Sequence, residues 1–196
     1  MPATTDHGQQ QTGALQLLVS GRVQGVGFRP FVHKLASAHQ LCGWVRNRTG
    51  LVEVHVQGEA GELRLFTRQL LEQAPPLAQP RLDRCTPVEP ENLDDFHIRS
   101  SSTGSKQQIF IPPDLYTCAD CLAELQDPQD RRYRYPFINC TNCGPRYTLI
   151  RELPYDRPNT TMSGFPLCPA CKAEYEDPGN RRFHAEPVGC PECGPA

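Results

Sequence analysis

The sequence has neither a long apolar run nor an excess of charge of one sign. Its 196 residues contain 20 Lys and Arg against 22 Asp and Glu, a formal net charge of −2. A membrane-spanning helix needs about 20 consecutive apolar residues, so we expect no membrane association. Nucleic-acid binding relies on clustered positive charge, so we expect no nucleic acid as a main partner.

The N-terminal segment lacks the apolar core of a secretory signal peptide. Residues 1–13 are polar, with three consecutive glutamines, and we expect them to be disordered. Without a signal for secretion, the chain is expected in the cytoplasm, where disulfides are rare. Its cysteines are therefore predicted to be thiols or metal ligands.

Ten cysteines stand out against this composition, and eight of them follow one pattern. Each of two units has a Cys-x2-Cys pair, a gap of 18 residues and a second such pair, and the units are offset by 50 residues. A Cys-x2-Cys pair can place two thiolates on one metal ion, and two pairs complete a tetrahedral site. The first unit contains Cys118, Cys121, Cys140 and Cys143, and the second contains Cys168, Cys171, Cys190 and Cys193.

The repeat extends beyond the cysteines, because both units carry an Asp-Pro and an Arg-Arg pair at matching positions and end on Cys-Gly-Pro. Self-similarity at a fixed period indicates a duplicated module. The segment that contains the modules has too little apolar content to fold by burial alone, so metal binding is expected to supply free energy of folding.

Zinc is the metal that four-cysteine ligation at this spacing favours. A ferredoxin-type cluster needs a tighter run of cysteines, whereas a mononuclear iron site is chemically open because four sulfurs also suit iron. We expect two structural Zn²⁺ ions, since four thiolates leave no open position for substrate. The duplication favours one ion per unit; the alternative is a nested pairing, with the outer pairs on one ion and the inner pairs on the other.

A short basic stretch lies between the two cysteine pairs of the first unit. It contains Arg131, Arg132 and Arg134, and Arg146 follows the second pair. We expect these arginines to balance the charge of nearby thiolates and to pack on Tyr133 and Tyr135, rather than to bind nucleic acid.

The apolar periodicity of the first half predicts a β-α-β-β-α-β order. Strands are expected near 15–20, 44–46, 52–56 and 96–98, with a weaker one at 81–88, and helices over 28–40 and 61–73. Two helices on one face of a four- or five-stranded antiparallel sheet form an α+β, ferredoxin-like sandwich. His55 is expected on the sheet surface, in solvent.

Composition then divides the chain into six segments. They are a disordered N-terminus (1–13), the sandwich domain (14–99), a polar linker (100–113), the first four-cysteine unit (114–146), a connector (147–167) and the second four-cysteine unit (168–196). The second half is predicted to be a small, irregular region of two zinc-stabilised modules.

A candidate functional motif lies at the junction of the first strand and the first helix. It reads Gly21-Arg-Val-Gln-Gly-Val-Gly-Phe-Arg29. Gly25 and Gly27 allow backbone N–H groups to turn toward one point, and the helix that follows offers its N-terminal dipole. Arg29 adds a guanidinium fork that can hold two phosphate oxygens. The junction is thus a candidate cradle for phosphate.

Together with Gly43-Trp-Val-Arg-Asn47, this motif resembles the paired signature of the acylphosphatase family, over about residues 14–99. The resemblance implies hydrolysis of an acyl phosphate without a metal, with Arg29 binding the phosphoryl group and Asn47 orienting the attacking water. It also implies a phosphate-binding loop made of Gln24, Gly25, Val26, Gly27, Phe28 and Arg29.

The order of this domain and two four-cysteine units resembles the HypF-type carbamoyltransferases of [NiFe] hydrogenase maturation. That resemblance implies carbamoyl phosphate as the substrate, with later domains using ATP to pass the carbamoyl group to the C-terminal cysteine of a HypE partner. Those domains do not appear before the last residue, Ala196, so we expect this polypeptide not to complete the transfer by itself. The alternatives are a zinc-containing protein-interaction module and, least favoured by charge, a nucleic-acid binder.

Overall fold

A mixed sheet with two helices forms the first half of the protein. The computed structural model describes residues 12–48, 50–102 and 114–195. The elements of this half are β1 (Thr12–Arg22), α1 (Phe28–Ala38), β2 (Cys42–Arg48), β3 (Leu51–Glu59), α2 (Ala60–Glu72), β4 (Gln79–Val88) and β5 (Phe96–Ile98). The predicted element order and the ferredoxin-like α+β class are confirmed.

The strand order is β4-β1-β3-β2-β5. β1 pairs antiparallel with β3 and β4, and β2 pairs antiparallel with β3, but β5 runs parallel to β2. The expectation of a wholly antiparallel sheet was therefore wrong. The chain crosses one end of the sheet between Val88 and Phe96, so β5 begins at the end where β4 finishes and takes the direction of β2.

The hydrophobic core lies between the sheet and the two helices. Alternate residues of β1 and β3 point into it, and each helix contributes one apolar stripe. The fully buried members include Leu17, Val19, Val32, Val54, Phe66 and Leu70. This core is what holds the strand–helix junction, which ends β1 and begins α1, in a fixed place.

The opposite face of the sheet is also covered, which overturns the expectation for His55. This residue is only 4% exposed. Its ring stacks on Trp44 with centroids 5.8 Å apart, and the guanidinium groups of Arg46 and Arg99 each lie 4.7 Å from the centre of the indole. Because β3 is a central strand, a layer of polar and aromatic side chains shields it from water.

The second half contains more regular structure than the sequence predicted. Helices α3 (Ala119–Gln126) and α4 (Pro169–Glu176) each follow the first cysteine of a unit, and four short 3-10 turns lie at Thr141–Cys143, Tyr147–Leu149, Arg157–Asn159 and Thr161–Gly164. We call residues 114–195 the finger region. In the part of the chain that the structure describes, no helix is both long enough and apolar enough to cross a bilayer.

Two predicted segments lie partly outside the described residues. β1 begins at Thr12, so the last two residues of the segment expected to be disordered belong to a strand, and residues 1–11 lie outside the described residues. Most of the predicted linker, residues 103–113, also lies outside them. Its first part is attached to the sheet, because the Ser102 N–H donates to the Asn47 carbonyl at 3.0 Å.

Candidate active site and metal centres

The cradle lies where β1 passes into α1. Gly25 and Gly27 have φ values of 69° and 73°, a left-handed conformation that favours glycine. The finger region packs directly on both residues: a Cβ at Gly25 would lie 2.6 Å from Pro145, and one at Gly27 would lie 3.0 Å from Thr141. Glycine is thus required here both by the turn and by the approach of the second half of the chain.

The side chains of Gln24, Val26 and Phe28 hold the predicted loop in place. Val26 and Phe28 are each 1% exposed and belong to the core, so only their backbone can face an anion. The Gln24 side chain donates to the carbonyls of Arg48 and Leu51 at 2.9 and 3.1 Å, which ties the loop to the β2–β3 turn. The loop is therefore held rigid from both sides.

Arg29 is buried at the start of α1 and is paired with two carboxylates of the finger region. Its Nη1 lies 2.9 Å from Asp156 Oδ1, and its Nη2 lies 2.6 Å from Glu186 Oε1. Burial opposes the charge of Arg29, but Glu186 and Asp156 together hold its pKa above the usual range. The guanidinium fork is thus kept charged and aimed away from the core.

Asn47, near the end of β2, is fully buried beside Arg29. With its amide oxygen toward the guanidinium, Oδ1 accepts from Arg29 Nη2 at 3.2 Å and from Nε at 3.3 Å. In the reverse orientation Nδ2 donates to Tyr155 O and Asp156 Oδ1 at 3.4 and 3.5 Å. The shorter contacts favour the first orientation. The structure thus brings together the two residues that the sequence analysis placed in catalysis.

Glu186 is held in place by several donors. Its Oε2 accepts from the Tyr175 hydroxyl at 2.9 Å and from the Arg157 backbone N–H at 2.9 Å. The Arg157 side chain donates to the Glu186 carbonyl at 2.9 Å. Burial raises the pKa of Glu186, and the charge of Arg29 opposes that shift. This carboxylate therefore forms part of the wall that faces the cradle.

The space between the cradle and the finger region is small. A cavity of about 20 Å³ is lined on one side by Gly25, Gly27 and Arg29, and on the other by Asn139 and Glu186. Such a volume holds about one water molecule. A larger cavity, of about 250 Å³, reaches Arg29, Asp156 and Glu186 from the side of residues 98–101. A phosphoryl group at Arg29 therefore has to displace the carboxylates that occupy its donors.

The eight predicted cysteine ligands form two clusters. In each cluster the four sulfur atoms lie within 4.8 Å of one another, and the clusters follow the sequential grouping, one per unit. Two of the Sγ–Sγ distances are 3.6 and 3.8 Å in the first cluster and 3.8 and 3.7 Å in the second. A tetrahedron with metal–sulfur bonds of about 2.3 Å has sulfurs about 3.8 Å apart, whereas a disulfide requires about 2.05 Å. The donor sets fit a tetrahedral metal ion.

The arginines of each unit contact the cluster of the other unit. Arg181 Nη1 donates to Cys121 Sγ at 2.8 Å, and Nη1 and Nη2 of Arg131 each donate to Cys171 Sγ at 3.3 Å. Each of these arginines also forms an ion pair with a glutamate of the other unit: Arg181 pairs with Glu124, and Arg131 pairs with Glu174. Arg131 and Arg132 thus balance thiolate charge as expected, although the thiolate belongs to the partner unit. Arg134 instead lies over the Tyr133 ring at 5.2 Å, and Arg146 donates to the Cys143 carbonyl.

Sequence reasoning missed the finger-region residues that face the cradle, chiefly Tyr155, Asp156 and Glu186. The first two fall in the segment taken as a connector, where no spacing pattern marks them. Glu186 carries a weak signal: the first unit has Pro136 at the equivalent position, so the repeat breaks there.

Two known families match the two halves of the chain. The acylphosphatase family matches residues 15–98, and the HypF finger family matches residues 117–150 and 167–196. Over 85 residues the chain is 45% identical to an acylphosphatase of Moorella thermoacetica, which covers 43% of this chain and 90% of that protein.

Longer matches come from proteins that contain both halves. The chain is 52% identical over 158 residues to the carbamoyltransferase HypF of Synechocystis sp., covering 79% of this chain and 20% of that protein. A crystal structure of full-length HypF in its phosphate- and nucleotide-bound form matches with a TM-score of 0.87 and 46% identity, over 95% of this chain and 25% of that one. The chain thus spans about a fifth of the length of the curated HypF relatives that it matches.

Proposed function

Since the chain belongs to the acylphosphatase family and is similar to HypF carbamoyltransferases, we propose that its cradle binds an acyl phosphate and hydrolyses it to a carboxylate and phosphate. The observation that supports this best is the meeting of the glycine loop, Arg29 and Asn47 at one buried point. The loop and Arg29 supply donors for phosphoryl oxygens, and Asn47 can bind water without itself titrating.

The proposed reaction needs positioning and charge stabilisation only. Arg29 and the backbone N–H groups of Gly25–Arg29 hold the phosphoryl group, while Asn47 holds a water beside it. The water oxygen bonds to phosphorus as the bond between phosphorus and the acyl oxygen breaks. The carboxylate leaves with the bonding electron pair, and the proton of the water passes to solvent. No metal takes part in this step.

Substrate binding has to displace the carboxylates that now hold Arg29. Asp156 and Glu186 occupy the same guanidinium donors that a phosphoryl group would use. Phosphoryl oxygens can replace carboxylate oxygens at an arginine fork because both accept two parallel N–H bonds. In the ligand-free site the two carboxylates thus hold the Arg29 guanidinium beside the glycine loop.

Carbamoyl phosphate is the proposed substrate because the relatives that match both halves are named carbamoyltransferases. The product carbamate would feed an ATP-dependent transfer, outside residues 1–196, to a HypE-type partner protein in the cytoplasm. In this scheme residues 14–99 carry the hydrolysis, and residues 114–146 and 168–196 each bind one metal ion.

Zinc is the proposed ion at both clusters. Each donor set is four thiols at tetrahedral spacing, and all ten cysteines are free rather than joined in disulfides. Four thiolates close the coordination sphere, so the role is structural. The ions would hold Asn139 and Glu186 against the cradle, through the short segments that connect these residues to Cys140 and Cys190.

A second candidate function is a binding module without catalysis. The observation that favours it is the pairing of Arg29 with two buried carboxylates, since a site closed in this way is also what an inactive domain would show. The two candidates differ in whether the chain turns over an acyl phosphate.

The test is phosphate release from carbamoyl phosphate by the full chain, beside Arg29→Ala and Asn47→Ala. Hydrolysis by the parent that is lost in both variants supports the enzyme. A folded, zinc-loaded parent that releases no more phosphate than the spontaneous reaction would support the binding module. Arg64→Ala, on the outer side of α2, is the matched control and should retain the activity of the parent.

A further inference from the structure

The two finger units are alike where they bind metal and differ where they face the cradle. The cysteines and the arginine pairs repeat at an offset of 50 residues. At the same offset, Asn139 of the first unit corresponds to Gly189 of the second, and Glu186 of the second corresponds to Pro136 of the first. Asn139 and Glu186 both line the cavity opposite the glycine loop. Asn139 has a side chain where the other unit has glycine, and Glu186 has a carboxylate where the other unit has proline.

The side chain of Asn139 is not needed for the frame that the units share. Arg182 Nε donates to the Asn139 carbonyl at 3.2 Å, and Arg132 Nε donates to the Gly189 carbonyl at 2.9 Å. These two bonds are equivalent under the repeat, and both use the main chain. The second unit makes its bond with a glycine, so the carboxamide of Asn139 has another reason to be there.

The carboxamide oxygen of Asn139 has no donor. The residue is 2% exposed, its Nδ2 makes one long contact with the Gly144 carbonyl at 3.4 Å, and Oδ1 has no hydrogen-bond partner among the described residues. Buried polar atoms are nearly always paired, so an unpaired acceptor beside a cavity indicates that a ligand or water supplies the donor.

Glu186 becomes a second unpaired acceptor once substrate binds. Its Oε1 now accepts from Arg29 Nη2 at 2.6 Å, and a phosphoryl group at Arg29 would take that donor. The wall opposite the glycine loop carries Asn139 and Glu186. A substrate with its phosphoryl end in the cradle would direct its acyl end toward this wall. A carbamoyl group ends in an NH2 with two N–H donors, whereas an acetyl group ends in a methyl that has none.

We propose that Asn139 Oδ1 and Glu186 Oε1 accept the two N–H bonds of a carbamoyl group, so that the first finger and the second finger together select carbamoyl phosphate over acetyl phosphate. This inference rests on the proposed hydrolase function and adds to it the residues that determine specificity. A site built to accept N–H bonds rejects an analogue without them, because its buried acceptors are then left unpaired.

The test compares kcat/KM for carbamoyl phosphate and acetyl phosphate in the full, zinc-loaded chain and in Asn139→Ala. Loss of one buried hydrogen bond should lower kcat/KM for carbamoyl phosphate about tenfold and change that for acetyl phosphate less than about twofold. Asn139→Gly, which copies the second unit, should behave in the same way. Asn142→Ala is the matched control, since Asn142 is exposed in the same finger and does not line the cavity.

The ratio of the two kcat/KM values separates the possible failures. An equal loss on both substrates, or an unchanged ratio in both Asn139 variants, would overturn the specificity role while leaving the hydrolase in place. A parent that hydrolyses neither substrate would overturn the proposed function and this inference together. Circular dichroism and metal content equal to those of the parent show that a variant is folded.

Discussion

Replacing Arg181 with alanine should weaken metal binding at the cluster of the first unit, although Arg181 belongs to the second. The reason is the hydrogen bond from its guanidinium to Cys121 Sγ at 2.8 Å, next to its ion pair with Glu124. The mirror variant, Arg131→Ala, should weaken the second cluster, because Arg131 contacts Cys171.

The magnitude follows from the kind of bond that is lost. A hydrogen bond to a charged acceptor contributes about 1.5–3 kcal/mol, and removing a partner that orients a metal ligand typically costs about 10–100-fold in affinity. Arg181 is half-buried, with 21% of its side chain exposed, so solvent screens this bond in part. We therefore expect a loss of about tenfold in the affinity of the first cluster.

The assay is ¹¹³Cd NMR on the cadmium-substituted chain during titration with a chelator. Two resonances are expected, and couplings to the cysteine β-protons assign each one to a cluster. In Arg181→Ala the resonance of the first cluster should shift and disappear first, and in Arg131→Ala that of the second cluster. Arg151→Ala, at an exposed position of the connector, serves as the control and should leave both unchanged.

Support of each cluster by the other unit would be refuted if each variant affected the cluster of its own unit, or if both affected the same resonance. It would also fail if chelator midpoints changed less than about twofold, because the contacts would then have no energetic role. The expected crossed pattern means that neither finger is complete without the other.

Three further outcomes follow from the same structure. A strong chelator should unfold residues 114–195 and leave the sheet folded, because metal binding supplies the folding free energy of such small modules; hydrogen exchange reports the two halves separately. Glu186→Gln should raise the affinity for inorganic phosphate about tenfold by calorimetry, since a neutral amide competes less strongly than a carboxylate for Arg29. Hydrogen bonds with Gln69 and Glu62 raise the pKa of His39, so the melting temperature of the parent should fall more than that of His39→Gln as the pH rises above about 6.5.

The sign of the His39 effect comes from linkage. A histidine with a raised pKa in the folded state stabilises the fold fully below its unfolded pKa of about 6.5, and this contribution is lost as the pH rises through the folded value. Equal pH dependence in parent and variant would contradict it. An unchanged exchange pattern after metal loss would contradict the chelator prediction, and unchanged phosphate affinity in Glu186→Gln would show that Glu186 does not compete for Arg29.

Local spacing in the sequence was enough to predict much of the fold and the cradle. The alternation in β1 and β3 identified strands, and the resemblance to acylphosphatases and HypF-type carbamoyltransferases is confirmed by the family and structure matches. The roles of Arg29 and Asn47 stay predictions, although the structure brings the two residues together. The cysteine repeat predicted two clusters, because ligand spacing within a unit is a local property.

What the sequence did not reveal depends on contacts between distant segments. Asp156 and Glu186 meet Arg29 across more than 120 residues, and no periodicity records such a contact. Arg131 was expected to balance nearby thiolates, but a repeat gives no sign that these thiolates belong to the other unit. His55 was placed in solvent because alternation identifies the core face of a strand but not a second layer on the other face.

The central claim is that water held beside Asn47 attacks a phosphoryl group held by Arg29. The most direct test is hydrolysis of carbamoyl phosphate by the full chain in ¹⁸O-labelled water, with the phosphate analysed by ³¹P NMR under conditions where the spontaneous reaction is subtracted. We expect one ¹⁸O atom in each enzyme-released phosphate, and no such enzymatic product from Arg29→Ala or Asn47→Ala. Unlabelled phosphate would mean that the bond between carbon and the bridging oxygen breaks instead, by attack of water on carbon or by elimination to cyanate, and it would contradict the assignment of the cradle.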